Sequence, residues 1–505
     1  MIDQHNSLAE KFLKKGFWLY LFSFIIAPIW YIIKIIISGE LTVSEVGILY
    51  WIISLVTMIS AYNDLGMSES LKHYIPQFVA EKRYDKVKTL LFFAFFIQII
   101  TSLIVVIIFY FGSTFIAENY FKTLAAKETL QVFAFFFLGL NIFQTLSNFF
   151  MAVQDTLANK WCEFLRMLFI MLSVLYIFFW ETWTLLQYSF SWLIWLYIWI
   201  VLALSIFIKK YYLKYLQNIK VLKEKWFLKW VLKYASLVVV GTSAATLLWQ
   251  MDMQMIIYFL GTTEAGYYTN YLSIITIPFM LIGPIFAFIF PVISEMHGKW
   301  DISKIQLLKN IFTKNFIAIW IMFNIFFFVF AQILAYTLFW EKFIESWNIL
   351  QYSILLLIFN FLLQINFNIL AGIWKVKERV KVIFTAVVFN FLMNIILINY
   401  LWVYWAALAT WLGWVLIFVL SEYFLWKTYR IQFQFKNIFK NILLMWVAGI
   451  WFYYFITPYF ENFSRLESFL FLALSFGVWS IIFVVANLNT FKGFILELKK
   501  MKQKS

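Results

Sequence analysis

Fourteen apolar stretches, each long enough to cross a bilayer, fill the chain from Phe17 to Ala486, and mostly short segments separate them. The hydrocarbon core of a membrane is about 30 Å thick and needs roughly 20 apolar residues per helix. Because 64% of the residues are hydrophobic and only 13% are charged, a water-soluble chain of this length would expose more apolar surface than water tolerates. The sequence therefore predicts an all-α polytopic membrane protein with no soluble domain of any size.

The stretches are too long and too uniformly apolar for membrane-spanning strands, which are about 10 residues long and alternate lipid-facing with polar residues. About fourteen transmembrane helices are therefore predicted. They cover Phe17–Ile37, Gly47–Ile75, Leu90–Phe111, Leu130–Val153, Phe164–Phe179, Leu185–Ile208, Tyr234–Leu260, Gly266–Ile293, Asn315–Leu338, Ile349–Ile373, Val382–Tyr400, Tyr404–Phe424, Ile442–Tyr459 and Phe469–Ala486.

The net charge of +15 is distributed in a way that predicts topology rather than nucleic-acid binding. If the N-terminus is inside, 35 of the 40 lysines and arginines lie at or beside the inside segments and four lie in outside loops; the fortieth is Lys34. Cytoplasmic loops carry such an excess. We therefore predict cytoplasmic termini, in the cytoplasmic (inner) membrane of a bacterium or archaeon. The lysine-rich segment 209–233 either serves topology alone or also rests on anionic headgroups.

Residue types that carry chemistry are scarce and scattered. The single cysteine and the three histidines offer no paired metal ligands, and no glycine-rich phosphate loop or Ser/His/Asp arrangement occurs. The outside loops are too short to hold a catalytic domain. We therefore predict a protein that is not an enzyme, with no catalytic residues, no metal site, no cofactor and no nucleic-acid partner.

The two halves of the chain repeat each other at a nearly constant offset. Ser44–Tyr50 recurs as Thr263–Thr269, and the amide pair Gln144 and Asn148 recurs 220 residues later. The copies have the same orientation because six helices separate them. The predicted organisation is two parallel six-helix lobes plus a final helix pair, with the substrate site between the lobes, as in transporters built from parallel repeats. The predicted bounds are 1–215 (helices 1–6), 216–430 (helices 7–12) and 431–505 (helices 13 and 14 and a basic tail).

The segment Asp252–Tyr268, with Gly261-Thr262-Thr263-Glu264-Ala265-Gly266 near its end, resembles the seventh-to-eighth helix signature of the polysaccharide flippases of O-antigen and exopolysaccharide synthesis. Tyr404–Thr410 resembles the start of their twelfth helix. These flippases belong to the multidrug/oligosaccharidyl-lipid/polysaccharide exporter superfamily. The resemblance implies two lobes that open to one side of the membrane at a time. It also implies an undecaprenyl-pyrophosphate-linked oligosaccharide as cargo, moved from the inner to the outer leaflet for surface polysaccharide or lipopolysaccharide biosynthesis.

Other functions stay open at this point. A peptidoglycan-precursor (lipid II) flippase and a cation-coupled multidrug exporter belong to the same superfamily, whereas a glycosyltransferase or polymerase would need a larger outside loop. The predicted partners are the lipid-linked oligosaccharide, membrane lipids and a proton or sodium ion. The glycan, the coupling ion and the oligomeric state are left undecided by the residues.

Ionisable residues at membrane depth are the candidate substrate-cavity residues, because a charge that faces lipid there costs about 3 kcal/mol or more. The polar run Asn63–Tyr74 either lines a water-filled cavity or is a cytoplasmic loop. Lys34 and Asp252 either pair across the lobes, or Lys34 binds an anionic group of the cargo or extends to the outer interface. The candidates are Lys34, Asp64, Glu69, Lys72, His73 and Asp252.

The chain has 25 tryptophans and only 16 glycines, although membrane helices use glycine where they cross closely. Trp405 precedes Ala406-Ala407 at a place where the resembled family has glycine. We suspect that Trp340 likewise stands in place of a glycine. Other tryptophans, such as Trp402, fit an interfacial aromatic belt. We hypothesise that some of these positions are UGA codons that the source organism reads as glycine.

Overall fold

A computed structural model describes residues 21–22, 24–180, 184–354, 358–431, 438–456 and 463–503. Across these ranges the chain is almost entirely helical and forms no β-strand, so the all-α prediction is confirmed. This is the expected outcome for apolar segments in lipid, because a helix satisfies every backbone hydrogen bond within the segment.

The chain divides into two units, Met1–Gly266 and Tyr267–Ser505. The first unit contains α1 (residues 24–40), α2 (Val43–Asn63), α3 (Met67–Ala80), α4 (Tyr84–Phe111), α5 (Ser113–Asn119), α6 (Ala126–Ala152), α7 (Thr156–Trp180), α8 (Leu185–Phe207), a π-helical continuation of α8 (Ile208–Leu216), α9 (Lys225–Phe259) and the start of α10 (Thr262–Gly298). The second contains the rest of α10, then α11 (Ile302–Val329), α12 (Ala331–Phe339), a 3₁₀ turn (Glu341–Phe343), α13 (Ile344–Ser353), α14 (Ile358–Gly372), α15 (Val376–Leu401), α16 (Val403–Tyr429), α17 (Ile438–Ile456) and α18 (Arg465–Gln503). The predicted domain bounds at 215 and 430 stay a prediction.

Every predicted apolar stretch overlaps a helix, but three of the stretches are divided between two helices. The second stretch becomes α2 and α3, the ninth becomes α11 and α12, and the tenth becomes α13 and α14, whose axes differ by 62°. Within the described residues, nine helices are long and apolar enough to span a membrane, or ten if that bent pair is one span. The count of fourteen stays a prediction, and the parts of the stretches at 17–20, 23, 355–357 and 457–459 lie outside the described residues.

A break in the second stretch separates α2 from α3. Leu65 and Gly66 adopt left-handed backbone conformations with φ of 48° and 80°, which ends one helix and redirects the chain into the next. Gly66 also lies against the backbone of α9, since a Cβ at this position would be 2.3 Å from the carbonyl oxygen of Ala235. Only glycine satisfies both requirements, the conformation and the close approach.

The repeated motif packs against its own copy. A Cβ added to Gly47 would lie 1.9 Å from the carbonyl oxygen of Thr262, and one added to Gly266 would lie 2.1 Å from that of Val43. The hydroxyls of Ser44 and Thr262 are 2.6 Å apart at the same crossing. Each copy therefore supplies one glycine and one backbone carbonyl to the other, and the small residues allow the two backbones to touch.

A buried ion pair lies among α11, α14 and α16 in the second unit. The Lys309 ammonium donates to Glu422 Oε2 at 2.7 Å, and the amide of Asn366 donates to Glu422 Oε1 at 2.9 Å. The Lys309 side chain is 1% exposed and that of Glu422 is 17% exposed. Charges at such a site are stable only when they are paired and hydrogen-bonded, and both conditions are met here.

Candidate substrate cavity

A polar cavity of about 240 Å³ opens in the first unit at the break between α2 and α3. It is large enough to hold several water molecules. Hydroxyl, amide and carboxylate side chains line it. The lining residues are Thr57, Ser60, Ala61, Asp64, Gly66, Ser68, Glu69, Gln144 and Thr246.

Asp64 holds the beginning of α3. Its two carboxylate oxygens accept hydrogen bonds from the backbone N–H groups of Gly66 at 2.9 Å and Ser68 at 3.0 Å. These are N–H groups that the first turn of a helix leaves without partners, and the helix dipole favours a negative charge there. The buried carboxylate therefore fixes the first turn of α3 at the wall of the cavity.

Glu69, one turn into α3, brings a second carboxylate to the cavity and pairs with Lys72 at 2.5 Å. The two side chains are 34% and 40% exposed, so the pair is open to water. His73 is also exposed, and its ring stacks on Tyr234 of α9 with a centroid distance of 4.7 Å. The first half of α3 thus presents both signs of charge next to one aromatic surface.

Amide and hydroxyl groups of α6 fix the opposite wall. Ser60 Oγ donates to Asn141 Oδ1 at 2.9 Å and to Gln144 Oε1 at 3.1 Å. Asn148 Nδ2 donates to Ser68 Oγ at 2.7 Å, one turn further along α6. These bonds join α2, α3 and α6 around the cavity, and a satisfied polar network of this kind holds its members in one arrangement.

A line of polar contacts between α2 and α9 continues from the cavity. Ser54 Oγ donates to Gln250 Oε1 at 2.5 Å and accepts from Gln254 Nε2 at 3.0 Å. Thr246 lies one helical turn before Gln250, on the same side of α9, and lines the cavity itself. Polar residues therefore follow one face of α9 from Thr246 to Gln254.

Lys34 and Asp252 lie away from the cavity lining. Lys34 is 1% exposed, and its ammonium is 4.3 Å from the centre of the Tyr50 ring on α2, within the range of a cation–π contact. Its burial disagrees with an extension to the outer interface. Asp252 is 2% exposed and lies about 200° around α9 from Gln250, so it faces away from the polar line. A pairing of Lys34 with Asp252 stays a prediction.

The structure thus brings two of the six candidate residues, Asp64 and Glu69, into one cavity, with Lys72 paired to Glu69. The run that contains them is helical from Met67 onward and is not an open loop. The sequence reasoning did not place Ser60, Gln144 and Thr246 in the site. A signal existed for Gln144, because it belongs to the amide pair that recurs in the second half of the chain.

The lining groups match neutral, hydroxyl-rich ligands. Amides and hydroxyls donate to and accept from sugar hydroxyls, and carboxylates accept from them, whereas an apolar drug would leave these groups without partners. No group of three or more histidine, cysteine, aspartate or glutamate side chains that could hold a metal ion occurs in the part of the chain that the structure describes.

The chain is similar to a known protein family and to a protein from an archaeon. The family described as polysaccharide biosynthesis proteins matches residues 12–297, more than half of the chain. An uncharacterized membrane protein of Methanocaldococcus jannaschii is 25% identical over 470 residues, which cover 88% of this chain and 89% of that protein.

Two solved structures show the same fold at low identity. The lipid II flippase MurJ in an inward closed conformation is 12% identical, with a TM-score of 0.66, over 94% of this chain and 99% of that one. An inward-facing multidrug resistance MATE family transporter of the MOP superfamily is 13% identical, with a TM-score of 0.64. The match covers 80% of this chain and 94% of that one.

Proposed function

From the premise that the chain belongs to the polysaccharide biosynthesis protein family, we propose that it is a lipid-linked oligosaccharide flippase. It carries an undecaprenyl-pyrophosphate-linked glycan from the inner to the outer leaflet of the cytoplasmic membrane by alternating access. The product supplies the synthesis of a surface polysaccharide. The partners are this lipid-linked sugar, the surrounding lipids and a coupling proton or sodium ion.

The polar cavity at the α2–α3 break is the observation that carries the proposal. Its hydroxyl, amide and carboxylate groups would otherwise be costly in a membrane-embedded bundle, and they are the groups that bind sugar hydroxyls. Lys72 adds a cation beside cavity residue Glu69, where the diphosphate of the cargo can be neutralised. The glycan therefore contacts Ser60, Gln144 and Glu69, and Asp64 keeps the break in shape.

Two other cargoes are possible within the same fold, namely lipid II and small cationic drugs. A cationic cargo needs free carboxylates in the cavity. Here the oxygens of Asp64 accept backbone hydrogen bonds, and Glu69 is already paired with Lys72. Because Lys72 and Glu69 are each other's partner, the charges alone do not decide between an anionic and a cationic cargo, and the experiment below tests both. Lipid II shares the diphosphate and the sugar with our proposed cargo, so an experiment must separate the two.

Complementation tests the proposal. Expression in a strain that lacks its own polysaccharide flippase is expected to restore surface glycan, measured by glycan-specific staining. Gln144→Leu and Lys72→Gln are each expected to reduce the restored glycan about tenfold, which corresponds to about 1.4 kcal/mol of lost cargo binding. Lys122→Gln, in an exposed loop, serves as the matched charge control and is expected to leave the glycan unchanged.

Three results would contradict the proposal. Rescue of a strain lacking its lipid II flippase, without restored surface glycan, would identify the other lipid-linked cargo. Resistance to cationic drugs in the expressing strain would identify an exporter. Full activity of both cavity variants, at normal membrane levels of the protein, would place the cargo site elsewhere in the chain.

A further inference from the structure

An apolar groove of about 830 Å³ lies on the first unit, away from the polar cavity. It is bounded by α4, by the end of α8 with its π-helical continuation, and by the segment that leads into α9. Phe92, Phe96 and Ile99 are exposed along its length. The lining residues are Thr89, Leu91, Phe92, Phe93, Phe95, Phe96, Ile99, Leu204, Phe207, Ile208, Tyr212, Val221, Leu222 and Leu228.

Four exposed lysines adjoin the groove. Each is next in sequence to a lining residue, and none of the four forms an ion pair within the described ranges of the chain. The neighbouring Lys210 is different, because it pairs with Asp155. The four are Lys209, Lys220, Lys223 and Lys229.

The groove is held open by hydrogen bonds. The ammonium of Lys88 donates to the carbonyl oxygens of Leu216 and Ile219, each at 2.9 Å. The backbone N–H of Leu222 donates to Thr89 Oγ1 at 2.8 Å. These bonds fasten residues 216–222 to the beginning of α4. The lysines in and beside this segment therefore keep a fixed position relative to the apolar wall that α4 contributes.

We propose that this groove binds one acyl chain of an anionic phospholipid, and that the adjoining lysines bind its headgroup phosphate. The argument is charge complementarity: an exposed apolar channel lies beside four lysines that form no ion pair with any residue the structure describes. Lysines near a membrane surface attract anionic lipid headgroups. The groove is separate from the cargo cavity, so this lipid is a bound component of the protein and is not transported.

Photocrosslinking of the full-length protein in phosphatidylcholine vesicles tests the lipid site. Phosphatidylglycerol with a diazirine in its acyl chain is expected to label residues 91–99 and 204–212, as mapped by mass spectrometry. Changing the four lysines to glutamine is expected to reduce this labelling at least fivefold. The same change at Lys375, Lys377, Lys381 and Lys427 provides a control of equal charge and is expected to have no effect.

The outcome is decisive in either direction. Equal labelling by phosphatidylcholine carrying the same diazirine, or undiminished labelling of the four-lysine variant, would overturn the proposal. Leu204→Trp narrows the groove without changing charge and is expected to reduce labelling by itself. Displacement of the probe by undecaprenyl phosphate but not by phosphatidylglycerol would show that the groove belongs to the cargo path, and inorganic phosphate is expected to displace nothing.

A second, independent observation concerns the backbone at four tryptophans. Among the described residues, nine residues other than glycine have positive φ, and four of them are tryptophan, with φ between 58° and 71°. A bulky side chain rarely adopts these conformations, whereas glycine adopts them freely. The four are Trp300, Trp340, Trp374 and Trp402.

Trp300 and Trp374 end helices α10 and α14 in the manner that glycine usually does. At Trp300 the chain makes hydrogen bonds from residue 300 to His297 and from residue 301 to Met296, at 2.9 and 3.0 Å. At Trp374 the corresponding bonds join residue 374 to Ala371 and residue 375 to Leu370, at 3.1 and 2.8 Å. This is the Schellman pattern, whose left-handed position is most often glycine.

Trp340 and Trp402 adopt a rarer conformation. Their φ and ψ values are 71° and 161° for Trp340, and 66° and −167° for Trp402. This region of backbone space is occupied almost only by glycine. The suspicion about Trp340 agrees with this backbone, and Trp402 has the same conformation, although its place in an aromatic belt stays a prediction.

We propose that the native protein carries glycine at these four positions, because the source organism reads UGA as glycine. The gene is expected to have UGA at all four codons and UGG at Trp479, whose indole N–H donates to the carbonyl of Met322 inside the second unit. Mass spectrometry of the natively produced protein is expected to find peptides lighter by the difference between tryptophan and glycine at the four positions. Indole-bearing peptides there, or UGG codons, would overturn the proposal.

Discussion

Replacing Gly47 by alanine is expected to abolish the production of folded protein. The added Cβ would lie 1.9 Å from the carbonyl oxygen of Thr262, and a backbone atom in a packed helix cannot move aside as a flexible side chain can. Overpacking commonly costs about 1–3 kcal/mol and here would exceed that range, against a total stability of about 5–15 kcal/mol. Gly266→Ala should have the same effect, because its Cβ would meet Val43 at 2.1 Å. The measurement is the monodisperse fraction in size-exclusion chromatography of detergent extracts.

Two other glycines are matched controls for this substitution. A Cβ added to Gly298 or to Gly477 would meet no atom within 4 Å, and both residues are in helices. Alanine favours a helix over glycine by about 1 kcal/mol, so both variants are expected to keep or raise the yield of folded protein. A normal monodisperse fraction for Gly47→Ala would show that α2 and α10 do not touch at this crossing.

Lys309→Met is expected to destabilise the protein by about 3–5 kcal/mol, because it leaves the charge of Glu422 without its cation in a buried site. Glu422→Gln should have a similar cost, since the ammonium of Lys309, which is 1% exposed, would then have no counter-charge at 2.7 Å. Both variants are expected to lower the midpoint temperature of unfolding. Thermal unfolding of the purified protein in detergent, followed by intrinsic fluorescence, measures it.

The double variant Lys309→Met with Glu422→Gln separates charge from packing. It removes both charges together and keeps an acceptor for Asn366, so it is expected to recover more than half of the stability lost in either single variant. Lys160→Gln breaks the more exposed pair with Glu163 and is expected to cost at most about 1 kcal/mol. Additive losses in the double variant would mean that the pair contributes through shape and not through charge.

The positions of the helices could be predicted from the sequence because each stretch is predominantly apolar and long enough to span the membrane, and in lipid a helix satisfies the backbone hydrogen bonds of such a stretch. The breaks within the stretches could not be predicted. The second stretch is predicted as one helix from Gly47 to Ile75, and its interruption depends on two left-handed residues, Leu65 and Gly66. Glycine is also frequent inside unbroken membrane helices, so Gly66 by itself did not reveal the break.

The candidate site was predicted in part for a related reason. Asp64 and Glu69 stood out because charges are rare in apolar helices, and both line the cavity. Lys34 stood out equally but packs against Tyr50, since charge alone does not reveal which side of a helix a residue faces. Ser60 and Thr246 were missed because single hydroxyls are common in membrane helices, and only the packing of α2, α6 and α9 brings them together.

The hydrogen bonds between α4, at Lys88 and Thr89, and residues 216–222 also limit how far the beginning of α9 can move. Only residues 223 and 224 lie between the last fastened residue, Leu222, and the first residue of α9, Lys225. Three backbone steps reach at most about 11 Å when fully extended. The segment from Leu216 to Lys225 is thus a short tether in place of a loose loop. The leading end of α9 can swing around the beginning of α4, but it cannot travel away from it, so any larger displacement of α9 has to come from bending further along the helix.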